Sequence, residues 1–148
     1  MMNRIITVVE NDRGYYRPMT DAAHPQPAAT IPDAICLSIR EVTRLLPIAA
    51  VVTYTSSGSS SLRASRERPA TSILSMADNA KTARRLTLAW GIHSIQVPAI
   101  KSIDDMRAFA CEAAVKEGYA TAGEMIIIAA GTPIGVSGTT NTLTILAV

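Results

Sequence analysis

Residues 49–61 read A-A-V-V-T-Y-T-S-S-G-S-S-S, and this stretch decides the fold. Its first half, Ala49–Tyr54, is an almost unbroken apolar run that is typical of a strand buried on both faces. The second half, Thr55–Ser61, is a loop of hydroxyl residues around Gly58, and a helix-like stretch follows it. Such a loop directs backbone N–H groups and hydroxyls at one point, beside the positive end of a helix dipole. The stretch therefore predicts a strand, an anion-binding loop and a helix.

The composition favours one α/β domain. The chain has 148 residues, of which 48% are hydrophobic and only 4% aromatic, so its core must be aliphatic. A formal net charge of +2 is too small to indicate a nucleic-acid partner. Cys36 and Cys111 are too few for a disulfide framework, and no apolar run is long enough to span a membrane. We expect a reduced, cytoplasmic protein without a membrane partner.

Strand and helix signals alternate after residue 30. The pattern Thr30–Asp33 predicts a capped helix start, and the apolar positions expected on that helix's core face are Ile35, Ile39, Val42 and Leu46. Further helices are predicted from the hydroxyl loop to about Glu67, from Asp78 or Asn79 to Gly91, and from Ser102 to Gly118. The later strands are predicted at residues 71–76, 92–97, 124–130 and 142–148.

This order of elements predicts the fold class. The connection before the last strand is too short for a crossover helix, so that strand is expected to pair antiparallel with its predecessor. We predict a three-layer α/β/α fold with a five-stranded, mostly parallel sheet and one antiparallel C-terminal edge strand.

The first 29 residues differ from the rest. Residues 1–13 predict a short helix with apolar residues such as Ile5 and Val9 on one side, and three prolines between residues 18 and 27 indicate a linker. A helix this short needs something else to pack on. We therefore divide the chain into residues 1–29 and a domain of residues 30–148.

A second loop strengthens the anion-site interpretation. Residues 131–141 are rich in Gly, Ser and Thr and follow the fourth strand, as the first loop follows the first strand. Both loops are thus expected at the carboxyl edge of the sheet, where ligands bind. A single Ser/Gly loop is typical of a helix cap, but two at one edge favour a phosphate site. Neither loop has the GxxxxGK or GxGxxG pattern of nucleotide sites.

The sequence predicts no catalytic residue and no metal site. His24 and His93 are far apart and lack metal-ligand spacing. Asp104 and Asp105 occupy the first turn of a helix, where capping explains them. Cys111 has no adjacent base, so we interpret it as a structural thiol. No nucleophile–base pair can be assembled from these residues.

Three arginines close together also have an ordinary interpretation. Arg63, Arg66 and Arg68 lie on one predicted helix and are interpreted as a solvated face. Trp90 is interpreted as a packing residue rather than a stacking platform.

Two motifs resemble those of one family, the C-terminal domain of pyruvate kinase. Residues 51–58, V-V-T-Y-T-S-S-G, followed by Ser60 and by Arg66-Glu67-Arg68-Pro69, resemble its T-x-S-G-x-S phosphate loop and the R-x-R-P end of the next helix. Gly138-Thr139-Thr140-Asn141 resembles the terminal G-x-T-N loop of that family. Met1–Ile5 looks like the last helix of the family's catalytic (β/α)8 barrel. The resemblance covers nearly the whole chain.

The resemblance implies a regulatory part of a larger enzyme. The family transfers a phosphoryl group from phosphoenolpyruvate to ADP, giving pyruvate and ATP, with magnesium and potassium bound in the barrel region. None of those catalytic motifs occurs in these 148 residues. The resemblance therefore implies a non-catalytic domain without a cofactor of its own, attached to a barrel and assembled as a homotetramer.

The resemblance also implies an effector site. Its residues would be Thr55, Ser56, Ser57, Gly58, Ser59, Ser60, Gly138 and Thr139, and Arg107 resembles an arginine that meets a second phosphate in some members. Fructose 1,6-bisphosphate is the effector of many members, and AMP or sugar monophosphates serve other bacterial members. Here Ile100 replaces a tryptophan and Ser56 replaces a cationic loop residue. These departures favour a monophosphate or AMP, or a site that is no longer used.

Two other functions stay open at this point. A free-standing phosphate-binding or interaction module without a barrel is compatible with the same residues. A small phosphatase or acyltransferase built on the two loops is disfavoured because it would lack a base.

Overall fold

A computed structural model describes residues 2–10, 12, 28–134, 136 and 138–148. Among them are five helices and five strands. The helices are α1 (Met2–Glu10), α2 (Ile31–Leu45), α3 (Ser59–Arg66), α4 (Ala80–Leu86) and α5 (Ile103–Lys116). The strands are β1 (Ile48–Thr55), β2 (Ile73–Ala77), β3 (Ile92–Gln96), β4 (Met125–Gly131) and β5 (Thr140–Ala147).

The five strands form one sheet in the order β3-β2-β1-β4-β5. β1 lies in the middle and pairs in parallel with both neighbours, so that Val52 is opposite Leu74 on β2 and Ile128 on β4. β5 pairs antiparallel with β4 at the edge. The predicted fold class is confirmed.

Helices cover both faces of the sheet. On one face, Cys36 and Ile39 of α2 and Ala64 of α3 pack with sheet residues such as Val51 and Ile127. On the other face, α5 contributes Met106, Ala110, Ala113 and Ala114 to a second buried cluster with β1, β2 and β4. Burial on both faces explains why the middle strands are almost wholly aliphatic.

Three predicted helix starts are confirmed by their caps. The side chains of Thr30, Asn79 and Ser102 each accept a hydrogen bond from the backbone N–H three residues later. Each cap satisfies an N–H group that the first turn leaves without an intrahelical partner.

Several predicted boundaries were wrong by a few residues. α4 ends at Leu86 rather than at Gly91, because turns occupy residues 87–91 before β3. β2 begins at Ile73 rather than Thr71, whose hydroxyl donates to the Ala49 carbonyl instead of continuing the strand. β5 begins two residues early, at Thr140, which pairs across an irregularity with Gly131.

The core face predicted for α2 was wrong in part. Ile39 is fully buried, but Ile35 and Val42 are only half-buried, and Leu46 is 41% exposed because it lies beyond the last helical turn. The buried face instead contains Asp33, Cys36, Ile39 and Thr43. Two of these are polar, which is why apolar periodicity alone misplaced the face.

The predicted N-terminal helix exists as α1, and its apolar side chains Ile5, Ile6, Val8 and Val9 are all exposed. The three prolines of the predicted linker, between residues 18 and 27, lie outside the described part of the chain. Among the described residues, no helix is long and apolar enough to cross a membrane.

Candidate effector site at the carboxyl edge of the sheet

A small cleft opens between the carboxyl ends of β1 and β4. These strands are neighbours in space, but the chain passes through β2 and β3 between them, so the cleft lies where the winding of the sheet reverses. This is the usual ligand position in an open α/β sheet. The cleft is lined by Tyr54, Thr55, Ser56, Ser57, Ser60, Gly131, Val136, Gly138, Thr139 and Thr140.

The two loops touch each other at this cleft. The hydroxyls of Ser60, at the start of α3, and Thr140, at the start of β5, lie 2.5 Å apart and are both buried. On the other side, a Cβ atom at Gly131 would lie 2.5 Å from the Thr139 hydroxyl oxygen and 2.9 Å from its carbonyl oxygen. Glycine is therefore required for this approach. The structure thus brings together loops that are 80 residues apart.

The first loop is held in place by the connection to α4. The carbonyl oxygen of Ser56 accepts from Asn79 Nδ2 at 2.9 Å and from the Thr82 hydroxyl at 2.8 Å. The next carbonyl, of Ser57, accepts from the Arg85 guanidinium. In the first turn of α3, the Ser59 N–H donates to the Ser57 hydroxyl oxygen at 3.4 Å. The N–H groups that follow it have no intrahelical partner and lie at the positive end of the helix dipole.

Gly58 makes this loop geometry possible. Its φ of +88° lies in the left-handed region, which disfavours residues with a Cβ atom. Its N–H donates to the Thr55 hydroxyl oxygen at 2.9 Å, which closes the turn before α3. A Cβ atom here would also lie 3.3 Å from Leu86 Cδ2 on α4.

Most hydroxyl protons in the cleft are already engaged. Ser56 donates to Asp78 Oδ2 at 2.5 Å, Ser57 donates to Ser59 Oγ at 3.1 Å, and Thr139 donates to the Val136 carbonyl at 2.8 Å. Thr55 accepts from Gly58, and its own proton has no acceptor among the described residues. In the Ser60–Thr140 pair, one hydroxyl donates its proton to the other, and the proton of the accepting hydroxyl is not used in this hydrogen bond. Thr55 and this pair thus keep hydroxyl protons that can be donated to a ligand.

Not every predicted site residue lines the cleft. Gly58 and Ser59 shape the loop behind it, and Gly138 and Thr139 lie in its wall. Arg107 is exposed on α5, its Nη1 atom lies 3.5 Å from Asp104 Oδ1, and it is absent from the described cleft lining. Gly135 and Ser137 of the second loop lie outside the described residues.

Sequence reasoning missed three residues that matter here: Asp78, Arg85 and Thr140. Asp78 follows β2 at the same edge of the sheet, so the rule that placed the two loops there applied to it as well. Arg85 reaches the loop from the far end of α4, and nothing in the spacing of the sequence indicates that contact. Thr140 was quoted in a motif but not assigned to the site.

The opposite end of α3 carries a paired charge cluster. Asp33, which is 1% exposed, accepts from Arg63 Nη1 at 2.6 Å, from Arg66 Nη2 at 2.8 Å and from the Thr30 hydroxyl at 2.5 Å. Arg66 also donates to Glu67 Oε1 at 3.0 and 2.9 Å. The Thr30 hydrogen bond, followed by those from the two arginines, holds the pKa of Asp33 well below its usual range.

This cluster corrects the interpretation of the arginines as a solvated face. Arg63 and Arg66 bind a buried carboxylate on α2, and Arg68 stacks over the Trp90 ring with its Cζ atom 4.5 Å from the centroid. Trp90, which is 39% exposed, is therefore a stacking partner for a cation rather than the packing residue that the sequence predicted. The sequence interpretation failed because Asp33 precedes Arg63 by 30 residues.

The described histidine and cysteine residues form no comparable site, and His24 lies outside the described part of the chain. His93 Nε2 lies 2.9 Å from Glu117 Oε2 on the surface. Both cysteines are free, and burial raises the pKa of the Cys36 thiol to about 12. Cys111 is half-buried rather than fully buried. Within the described ranges, no three His, Cys, Asp or Glu side chains are grouped so that they could hold a metal ion.

Comparison with known proteins identifies the family. The family model described as "Pyruvate kinase, alpha/beta domain" matches residues 33–146. This chain belongs to the pyruvate kinase family. Pyruvate kinase of Methylorubrum extorquens is 39% identical over 141 residues, which are 95% of this chain and 29% of that protein. A pyruvate kinase of Agrobacterium vitis is 35% identical over 97% of this chain and 30% of its own length.

A solved pyruvate kinase has the same fold. The structure of Cryptosporidium parvum pyruvate kinase in complex with ADP matches 89% of this chain and 27% of that one, with a TM-score of 0.77 and 24% sequence identity. The chain thus spans about 30% of the length of the pyruvate kinases of Methylorubrum extorquens and Agrobacterium vitis named above.

Proposed function

We propose that this chain is the C-terminal regulatory domain of a pyruvate kinase that transfers a phosphoryl group from phosphoenolpyruvate to ADP, giving pyruvate and ATP. The match of the pyruvate kinase α/β domain model to residues 33–146 carries this proposal. Because the relatives are about three times longer, their remaining length can supply the active site. The domain itself has a binding role and no catalytic one.

The division of the chain follows from the same proposal. Residues 1–29 comprise the last helix of a catalytic barrel and a linker, and residues 30–148 form the regulatory domain. The exposed Ile5, Ile6, Val8 and Val9 of α1 support this division, because such a helix gains stability only by packing on another body. The magnesium and potassium ions of the reaction bind with the barrel in this proposal, and the enzyme is a cytoplasmic homotetramer.

The cleft is the proposed effector site. The phosphate of an effector binds at the start of α3, where it accepts hydrogen bonds from first-turn N–H groups, the Thr55 hydroxyl and the Ser60–Thr140 pair. Ser56–Ser59 form the loop around it, and Gly138 and Thr139 close the other side. Arg107 is the candidate contact for a second phosphate.

The effector is a sugar monophosphate or AMP rather than fructose 1,6-bisphosphate. Ile100, in the place of a tryptophan, is buried in the core, and its backbone N–H donates to the hydroxyl oxygen of Tyr54 at 3.1 Å. It therefore offers no surface on which a second phosphate group could be held. By tying the two loops together, the effector shifts an existing equilibrium between subunit arrangements in the tetramer.

Calorimetric titration of the 148-residue chain tests whether the cleft binds a phosphorylated effector. We expect heat on addition of inorganic phosphate, glucose 6-phosphate or AMP, and loss of that heat in a Ser60→Ala, Thr55→Val double variant. A chain that is folded by circular dichroism yet takes up none of these ligands at millimolar concentration contradicts effector binding.

A coupled pyruvate assay tests the assignment to an enzyme. We expect no pyruvate formation by this chain alone and robust formation by the protein expressed from the whole reading frame. A reading frame without a barrel contradicts the proposal and supports the free-standing module. Turnover by the 148-residue chain contradicts the non-catalytic role.

A further inference from the structure

A carboxylate is fixed directly behind the cleft. Asp78, at the end of β2, accepts the hydroxyl proton of Ser56 at 2.5 Å through Oδ2. Its other oxygen, Oδ1, accepts from Asn79 Nδ2 at 2.8 Å, and the same amide group also bonds the Ser56 carbonyl. Asp78 is half-buried and held from two sides. Its charge is therefore a fixed part of the loop.

This contact changes what Ser56 can offer to a ligand. The hydroxyl has a single proton, which is bound to Asp78, so Ser56 presents only lone pairs to the cleft that it lines. A lone pair accepts hydrogen bonds from a ligand's hydroxyl groups and repels an anionic oxygen. The Ser56 position thus favours a neutral, hydroxyl-bearing group.

No described cleft-lining residue compensates this charge. The lining comprises hydroxyl, glycine and apolar residues. Arg85 donates to the Ser57 carbonyl from the side of α4, and Arg107 lies beside Asp104 on α5. A first phosphate can still use the N–H groups at the start of α3, but a second anionic group meets Asp78 without a matched cation.

We propose that the Asp78–Ser56 pair determines ligand specificity in this cleft, admitting one phosphate on a hydroxyl-bearing neutral carrier and disfavouring a second anionic group. The inference rests on the proposed effector site and names the residues that restrict it. The ligand class is a phosphate monoester of a polyhydroxy compound, a description that fits a sugar monophosphate and the ribose of AMP equally well.

Fructose 6-phosphate and fructose 1,6-bisphosphate form the matched pair of probes, because they differ by one phosphate. Their Kd values are measured by calorimetry, with inorganic phosphate as a third ligand, for the wild-type chain and for Asp78→Asn, Ser56→Ala and the control Glu41→Gln. Glu41 is an exposed acid in the second half of α2, which leads into the opposite end of β1. Its variant removes the same charge away from the cleft.

We expect the wild-type chain to bind the monophosphate at least as tightly as the bisphosphate. Asp78→Asn is expected to improve bisphosphate binding about fivefold more than monophosphate binding, and Glu41→Gln to improve neither selectively. Ser56→Ala keeps the charge but removes the acceptor. The affinity of this variant for fructose 6-phosphate should therefore fall about two- to threefold relative to its affinity for inorganic phosphate. Its preference for the monophosphate over the bisphosphate should remain.

The outcomes separate this inference from the proposed function. A wild-type preference for the bisphosphate, or equal changes for both sugars in Asp78→Asn, overturns the inference while phosphate binding stands. If the folded wild-type chain binds none of the three ligands, the proposed site and the inference both fail.

Discussion

The two ends of α3 are both polar, yet they differ in what is left over. At the C-terminal end, Arg63 and Arg66 are both bonded to the buried Asp33, and Arg66 also to Glu67. At the N-terminal end there are no ionised side chains on the helix, only hydroxyls and first-turn N–H groups. At the C-terminal end, the arginine charges are paired with carboxylates of the same chain. At the N-terminal end, some hydroxyl and N–H donors have no acceptor among the described residues.

This difference shows that polarity alone does not mark a binding site. The cluster with the larger charge is a structural link between α2 and α3, because each charge has a partner at hydrogen-bond distance. The N-terminal end is the candidate site because the Thr55 proton and one proton of the Ser60–Thr140 pair have no acceptor among the described residues. Substitutions at the two ends should therefore affect stability and binding in opposite proportions.

The largest effect is expected from Asp33→Ala at the structural end. It leaves two arginines beside a buried position without their carboxylate, so we expect the melting temperature to fall by more than about 5 °C. Anion affinity should be unchanged where the variant is folded. Thermal melts by circular dichroism measure the first result and calorimetry the second. Glu41→Gln, on the exposed face of the same helix, should change neither, and a selective loss of phosphate binding in Asp33→Ala contradicts the separation of the two ends.

The next effect is expected from Thr55→Val at the binding end. Valine keeps the shape of the side chain but removes a donor to the ligand, so phosphate affinity should fall about tenfold. The lost acceptor for the Gly58 N–H should cost about 1 kcal/mol of stability. The control is Thr53→Val, two residues earlier on β1, whose hydroxyl bonds Ser61 inside the core. If both variants lose affinity equally, the Thr55 proton is not the donor that the comparison requires.

A smaller effect is expected from pH. The pKa of Asp33 is lower in the folded chain than in the unfolded one, so the unfolded chain binds the proton first as the pH falls. The stability contributed by this carboxylate is therefore complete above the unfolded pKa and is lost progressively below about pH 4. The melting temperatures of the wild-type and Asp33→Ala chains, measured from neutral to acid pH, should approach each other as the pH is lowered. A difference that stays constant throughout contradicts the ionic origin of the link.

The sequence predicted the features that depend on local periodicity. β1 and β4 are aliphatic runs, and Thr30, Asn79 and Ser102 have the residue types that cap helices, so the order of elements and the fold class followed from them. The carboxyl-edge rule then placed both hydroxyl loops on one side, because it needs only strand direction.

The sequence could not show which polar groups are paired. The Ser56 proton goes to Asp78, 22 residues later, and Ser60 contacts Thr140 across 80 residues. Likewise, Arg63 was interpreted as solvated because its partner Asp33 was identified only as part of a cap. Such contacts depend on how whole helices and strands pack together. The local spacing of residue types in the sequence does not predict that packing.

The smallest effect is expected from Arg107→Ala, which sharpens the boundary of the binding end. Arg107 is exposed, pairs loosely with Asp104 at 3.5 Å and lies outside the described cleft lining, whereas Thr55 lies within it. Exposed pairs of this kind contribute little, so inorganic phosphate affinity should change by less than about twofold and the melting temperature should hardly move. Calorimetry with inorganic phosphate and fructose 1,6-bisphosphate provides the measurement. A several-fold loss of affinity for both ligands would place Arg107 in the first phosphate site and contradict the prediction. A loss of affinity for the bisphosphate alone would assign Arg107 to a second phosphate, and the difference between the two ends of α3 would stand.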